Sequence, residues 1–142
     1  NSNDKVLIQC FMKGDEYVVD TVSVEGEHIV LGVMKYNKIK TNSGNLIYNY
    51  MDFVDTNTKE VSDIVSYTKK AVTALGINNG PAHNEVMHTA YGPVLIESGA
   101  RMHGGANPKY TGACTSNSQL QMLPKIYFKN IKANYKKIDK KS

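Results

Sequence analysis

Between Lys59 and Leu75 the apolar residues Val61, Ile64, Val65, Ala71, Val72 and Leu75 recur at three-and-four spacing, the rhythm of a helix with one buried face. Asn57 stands ahead of it as an N-cap with Glu60 three residues on, in the manner of a capping box, and Gly76 follows as a left-handed C-cap. On either side the rhythm is that of strands. Val6 to Phe11 is a short apolar run closed by Lys13-Gly14-Asp15, Glu16 to Val24 alternates, and Glu25-Gly26-Glu27 turns into His28 to Tyr36. These segments predict a three-stranded antiparallel meander, with the polar stretch Thr41 to Leu46 as a mobile loop. After the helix, Pro81 to Thr89 and Pro93 to Gly99 predict a hairpin around Ala90-Tyr91-Gly92. The fold class is therefore α+β: an antiparallel β-sheet with one long helix packed on a face.

The 142 residues, 41% hydrophobic and 21% charged, describe one unit, about 1–110 as core and 111–142 as a helical or irregular basic tail. No apolar run reaches the roughly 20 residues a membrane span needs, and no secretory signal opens the chain, so a cytoplasmic setting is expected. Cys10 and Cys114 are read as reduced thiols. Asn1-Ser2-Asn3 runs almost directly into a strand-like segment without an initiator Met, which suggests a fragment of a longer protein. The net charge of +4 belongs to the tail, because Lys125 to Ser142 holds seven Lys and one Asp. A solvated segment whose Ile126, Tyr127, Phe128 and Ile131 face the body explains this better than a nucleic-acid surface, since the tail has no Arg and no spaced stacking aromatics.

If the second hairpin turns symmetrically about Tyr91, Val86 lies against Ile96, Met87 against Leu95, and Glu85 against Glu97, with His88 on the opposite face. Carboxylates directly opposed across a strand pair sit about 5 Å apart at Cβ and repel. They are compensated by a shared hard cation such as Mg2+, or they splay toward water or pair with Lys. Ser98-Gly99-Ala100-Arg101 then brings a guanidinium four residues beyond Glu97, and Gly104-Gly105 follows His103. Arg is the natural bidentate clamp for phosphate, while a Gly pair exposes backbone donors. His83 and His103 either touch substrate or position Arg101, or are satisfied structural residues.

The stretch Gly80-Pro-Ala-His-Asn-Glu-Val-Met87 with Gly92-Pro-Val-Leu-Ile-Glu-Ser-Gly-Ala-Arg101 resembles the metal-binding end of the ATP-grasp superfamily, and most of all its carboxylate-amine (amino-acid or dipeptide) ligases. The segment Val6-Leu-Ile-Gln-Cys-Phe-Met-Lys-Gly-Asp-Glu-Tyr-Val-Val-Asp20 resembles the hinge strand of that family and the strand after it. Similarity also covers Tyr36-Asn-Lys38 with the region from Asn42 to Tyr50, and thinly Thr111 to Leu123. By this resemblance Gln9, Cys10 and Met12 border adenine and Glu16 holds the ribose hydroxyls. Lys38 contacts phosphate, Glu85 and Glu97 ligate Mg2+ (or Mn2+ in its place), and Arg101 is the catalytic residue on the transferred phosphate. Two positions depart from the pattern: many relatives carry an acidic residue where this chain has Gln9 or Cys10, and Asn where it has Gly99.

The resemblance implies the C-terminal ATP-grasp subdomain of an ADP-forming ligase that makes an amide through an acyl phosphate. Its partners are ATP, small carboxylate and amine substrates and the upstream ATP-grasp subdomain of the same parent chain, with no membrane and no nucleic acid; a homodimer is left open. A carbamoyl-phosphate synthase or carboxylase-like domain is the rival enzyme, although Met102-His103-Gly104-Gly105 offers no glutamate base of the biotin-dependent kind. A catalytically inactive binding module is the non-enzymatic rival, and the joint presence of Glu16, Glu85, Glu97 and Arg101 argues against it.

Overall fold

The computed structural model describes residues 4–129. Five strands, β1 (Asp15–Val24), β2 (Glu27–Lys40), β3 (Leu46–Phe53), β4 (Gly80–Thr89) and β5 (Gly92–Gly99), form one antiparallel sheet in the order β3-β2-β1-β4-β5. Helix α1 (Lys59–Ala74) joins β3 to β4, and α2 (Asn107–Thr115) and α3 (Gln119–Lys129) follow the last strand. The α+β expectation of an antiparallel sheet bearing one long helix holds.

β1 lies at the centre of the sheet and is covered on both sides, which its sequence anticipates: Val18, Val19 and Val22 are apolar on either parity of the alternation. On one face Tyr17 and Val19 pack with Val33, Val86 and the Val61 and Ile64 stripe of α1. On the other, Val22 and Leu31 pack against Met122 of α3. That second helix covers only part of its face, and the remainder, further along β1 and β4, is where the charged side chains gather.

The helix begins one residue later than its expected cap. Thr58, rather than Asn57, accepts the Val61 amide at 3.3 Å, while Asn57 is drawn to Asp55. Gly76 takes the left-handed conformation as expected, with φ of +72°. Residues 6–11 form no strand, having no pairing neighbour among the described residues; Val6, Leu7, Ile8 and Phe11 lie 79–90% in water. The third strand of the meander is instead β3, which follows the Thr41–Asn45 turn. Ile126 packs on the body, but Tyr127 and Phe128 of α3 point outward. Ile131 and the rest of the basic tail beyond residue 129, like Asn1-Ser2-Asn3, lie outside the described residues.

The β4–β5 hairpin pairs Glu85 with Glu97 as the symmetric turn predicts. Nearer the turn the register differs: Val86 faces Leu95 and Met87 faces Val94, because an extra residue is accommodated between Leu95 and Glu97. The bulge has a physical purpose. Strict alternation would put Leu95 and Glu97 on one face, whereas the bulge lets Leu95 join the core under α1 while Glu97 stays opposite Glu85. The expected company of Met87 and Leu95 beside the glutamates is thus corrected to Met87 and Val94.

Candidate active site

The antiparallel register of β1 and β4 sets Glu16 beside Met87, Val18 beside Glu85 and Asp20 beside His83. Because side chains alternate, Glu16, Asp20, His83 and Glu85 all stand on the sheet face away from α1. β5 adds Glu97, and β2 and β3 add Tyr36, Lys38 and Tyr48, whose contacts below show that they reach over the same face. His88, one residue out of phase, lies on the other face, 3.3 Å from Glu60 of α1, as expected.

Glu16 is buried and bound through both oxygens: Lys38 Nζ contacts Oε2, and Tyr48 Oη donates to Oε1 at 3.0 Å. Two residues expected at the nucleotide therefore meet each other. The Lys38 ammonium also lies 4.6 Å from the centre of the Tyr48 ring, and burial together with the Glu16 hydrogen bond pushes the Tyr48 phenol up to about 12. Tyr36, with its ring 4.5 Å from that of Tyr48, donates to Glu85 Oε1 at 3.4 Å.

Next to this pair sits a second polar array. Asp20, 1% exposed, accepts from His83 Nδ1 at 3.0 Å through Oδ1 and from His103 Nδ1 at 2.9 Å through Oδ2. Burial opposes its ionisation, but the His103 and His83 hydrogen bonds outweigh burial and hold the carboxyl below its ordinary range. His83 Nε2 faces Glu85 Oε1 at 3.5 Å. Burial alone would lower the His83 imidazole; two flanking carboxylates raise it instead to about 9. The same contact with His83 keeps the Glu85 carboxyl below the usual carboxylate range. Among the described residues, Asp20, His83 and His103 are the one group of three or more potential ligands whose donor atoms lie within 4.8 Å of one another, yet both Nδ1 atoms are already committed to Asp20.

Glu97 is open to solvent, with Arg101 Nη2 3.9 Å from its Oε1. Gly99 lies beneath the Arg101 side chain, which a Cβ at that position would approach to 3.3 Å. Both polar contacts of Glu85 fall on Oε1, so its Oε2 and the outer side of Glu97 have no partner among the described residues. Oxygen donors on a rigid hairpin, beside an arginine, suit a hard divalent cation carrying phosphate. Gln9, Cys10 and Met12 line a mostly apolar cleft of about 680 Å3 with Thr89, Ala90, Tyr91 and Val94 at the hairpin end. Met87 follows on the glutamate face one pleat from Glu85, so the cleft and the carboxylates occupy successive stretches of one hairpin. The expected residues thus fall into three neighbouring groups: Gln9, Cys10 and Met12; Glu16 with Lys38; and Glu85, Glu97 and Arg101.

Sequence reasoning missed Asp20, Tyr36 and Tyr48 as members of the site. Asp20 carried a signal, being a lone charge inside the apolar strand Tyr17-Val-Val-Asp-Thr-Val22, where burial demands a partner.

Residues 1–109 match the family described as the ATP-grasp domain. The dapdiamide A synthase of Enterobacter agglomerans is 38% identical over 121 residues, which are 85% of this chain and 28% of the synthase. The crystal structure of the L-amino acid ligase from Bacillus licheniformis superposes with a TM-score of 0.77 at 26% identity, over 92% of this chain and 32% of the ligase. The phosphoribosylglycinamide synthetase of Anaerococcus prevotii shares the fold alone, with a TM-score of 0.55 at 20% identity over 78% of this chain and 31% of that one. The chain spans less than a third of each of these relatives, and with residues 1–109 matched by the family and 38% identity to the synthase over 85% of this chain, it belongs to the ATP-grasp domain family.

Proposed function

We propose that this chain is the C-terminal subdomain of an ADP-forming carboxylate-amine ligase, a single unit that completes its site with an upstream ATP-grasp subdomain of the same parent chain. The direct opposition of Glu85 and Glu97 on the exposed face of the hairpin, with Arg101 beside Glu97, carries the reading. Like charges directly opposed across antiparallel strands disfavour each other, and a cation shared between them would remove that cost. Glu85 through Oε2, and Glu97, would hold Mg2+ or Mn2+, which when bound neutralises charge on the ATP phosphates. Gln9, Cys10 and Met12 would border the adenine in the apolar cleft, and Glu16 and Lys38 would exchange part of their mutual contact for ribose and phosphate. The cytoplasm, with its ATP, is the fitting compartment.

In the proposed reaction a substrate carboxylate attacks the γ-phosphate, ADP leaves, and an amine displaces phosphate from the acyl phosphate to form an amide. Arg101 would grip the transferred phosphoryl group through its planar fork, strengthening its hold as charge spreads over the phosphate oxygens. The water-exposed side chains of Val6, Leu7, Ile8 and Phe11 support an upstream covering subdomain, since an apolar run this open calls for a partner surface.

The test is steady-state ADP release by the full-length enzyme with amino-acid substrates. Glu97→Gln removes one ligand charge at nearly constant shape and should lower kcat by about 10²-fold or more, with Arg101→Lys behaving almost like Arg101→Ala because the fork is lost in both. Unchanged turnover of Glu97→Gln at saturating Mg2+ refutes the proposal.

A further inference from the structure

The Asp20 array is built to be immobile. Asp20 is clamped on both oxygens by two imidazoles whose rings lie in contact, tilted by 39° with centroids 4.2 Å apart. The His103 backbone N–H donates to Gln119 Oε1 at 2.8 Å, and Gln119 Nε2 in turn donates to the Thr21 and Ala82 carbonyls at 3.0 Å each, tying the loop, α3, β1 and β4 together. Asp20, Thr21, His83, Ala82, His103 and Gln119 are all buried. From this anchor one arm reaches the candidate metal face: His83 Nε2, whose neighbour of opposite charge among the described residues is Glu85 Oε1 at 3.5 Å. Asp20 accepts from Nδ1 on one side of the ring, and Nε2 on the other side lies at ion-pair distance from Glu85.

We propose that Asp20 and His83 are positioning residues that hold the Glu85 carboxylate by Oε1 and so aim its Oε2 at the divalent cation. The proposal rests on the reading of Glu85 as a cation ligand. A glutamate on an open sheet face has three rotatable bonds, and fixing one oxygen through a donor that is itself anchored removes most of that freedom before the cation arrives. Tyr36 Oη, on the same Oε1, closes the arrangement from the β2 side. The chain of contacts Asp20–His83–Glu85 is the carboxylate counterpart of the partners that orient ligands around metals, whose removal typically costs 10- to 100-fold in metal affinity.

The separating substitution is His83→Asn. The asparagine amide nitrogen falls where Nδ1 was, keeping Asp20 satisfied, and nothing remains at the Nε2 position. The probe is Mn2+ titrated into the full-length enzyme with a non-hydrolysable ATP analogue, free Mn2+ being read by electron paramagnetic resonance and the fold by its thermal midpoint. His83→Asn should raise the Mn2+ dissociation constant about 10- to 100-fold. Asp20→Asn should raise it in the same direction, and the double variant should be no weaker than His83→Asn within about twofold, because both act along one path. His83→Asn binding Mn2+ like the wild type, while Glu85→Gln binds it poorly, overturns the positioning role and leaves the ligand standing. Unchanged Mn2+ binding in Glu85→Gln overturns the ligand reading and the proposal with it. Should Asp20→Asn fail to fold, the comparison of His83→Asn with Glu85→Gln decides alone.

Discussion

His83 ties stability to pH within the neutral range. Two carboxylates raise its imidazole from 6.5 to about 9 despite its burial. Below pH 6.5 the folded and unfolded chains both hold the proton, and the stabilising contacts are fully present. Between 6.5 and about 9 the unfolded chain releases a proton that the folded one keeps, so stability falls as pH rises, by on the order of 2 kcal/mol in all. Urea unfolding of the metal-free protein from pH 6 to 9.5 should show this decline, and His83→Asn should flatten it; an equal slope in both proteins would sink the assignment. Asp20 and Glu85, held below their ordinary values, act at the other end: their contribution is lost as pH falls through the acid range. Asp20 shows how far a sequence can be read at this scale. Its place in an apolar strand reveals that it must be paired, but its partners lie 63 and 83 residues away. Nothing local distinguishes His83 and His103 from His28, which finds Ser23 and Thr73 instead.

Among the elements, the β4–β5 hairpin was legible where its turn fixes the register and illegible where a bulge resets it. The turn signal and the opposed glutamates follow from local sequence; the extra residue before Glu97 follows from the need to bury Leu95 beneath α1, which is a tertiary demand. The opening segment failed for the complementary reason. Apolar residues 6–11 have strand composition, but a strand requires a neighbour's backbone, and none among the described residues pairs with them. What does tether this segment is Gly14. A Cβ there would come 2.0 Å from the His88 carbonyl oxygen and 3.2 Å from Thr89 Cα, both backbone atoms that cannot step aside. Gly14→Ala should therefore pry the cleft-lining residues away from the hairpin end and destabilise the protein by about 2–4 kcal/mol, seen as a lower urea midpoint. Loss of under about 0.5 kcal/mol would mean that the close approach is not maintained in solution.

At the scale of the whole molecule the cleft, the buried Glu16–Lys38 pair and the glutamate hairpin form one open wall, with no opposing surface among the described residues. Titrated with ATP and Mg2+ in a calorimeter, the 142-residue chain should show no affinity tighter than about millimolar, or roughly −4 kcal/mol, because contacts from one side alone must offset the cost of immobilising the nucleotide. Micromolar binding would mean that this wall is a complete site. The sequence by itself determined the helix stripe, the strands that flank it as a hairpin and a central strand pair, the turn that opposes Glu85 and Glu97, and the motifs that mark the ATP-grasp domain, because each depends on residues near one another along the chain. Only the tertiary structure decided that Glu16 binds Lys38, that β3 rather than residues 6–11 completes the meander, and that Asp20 gathers two histidines behind Glu85. Side-chain alternation assigns a face within a strand, but which charge meets which is set by register between strands dozens of residues apart, and that is fixed only when the whole sheet has closed on its core.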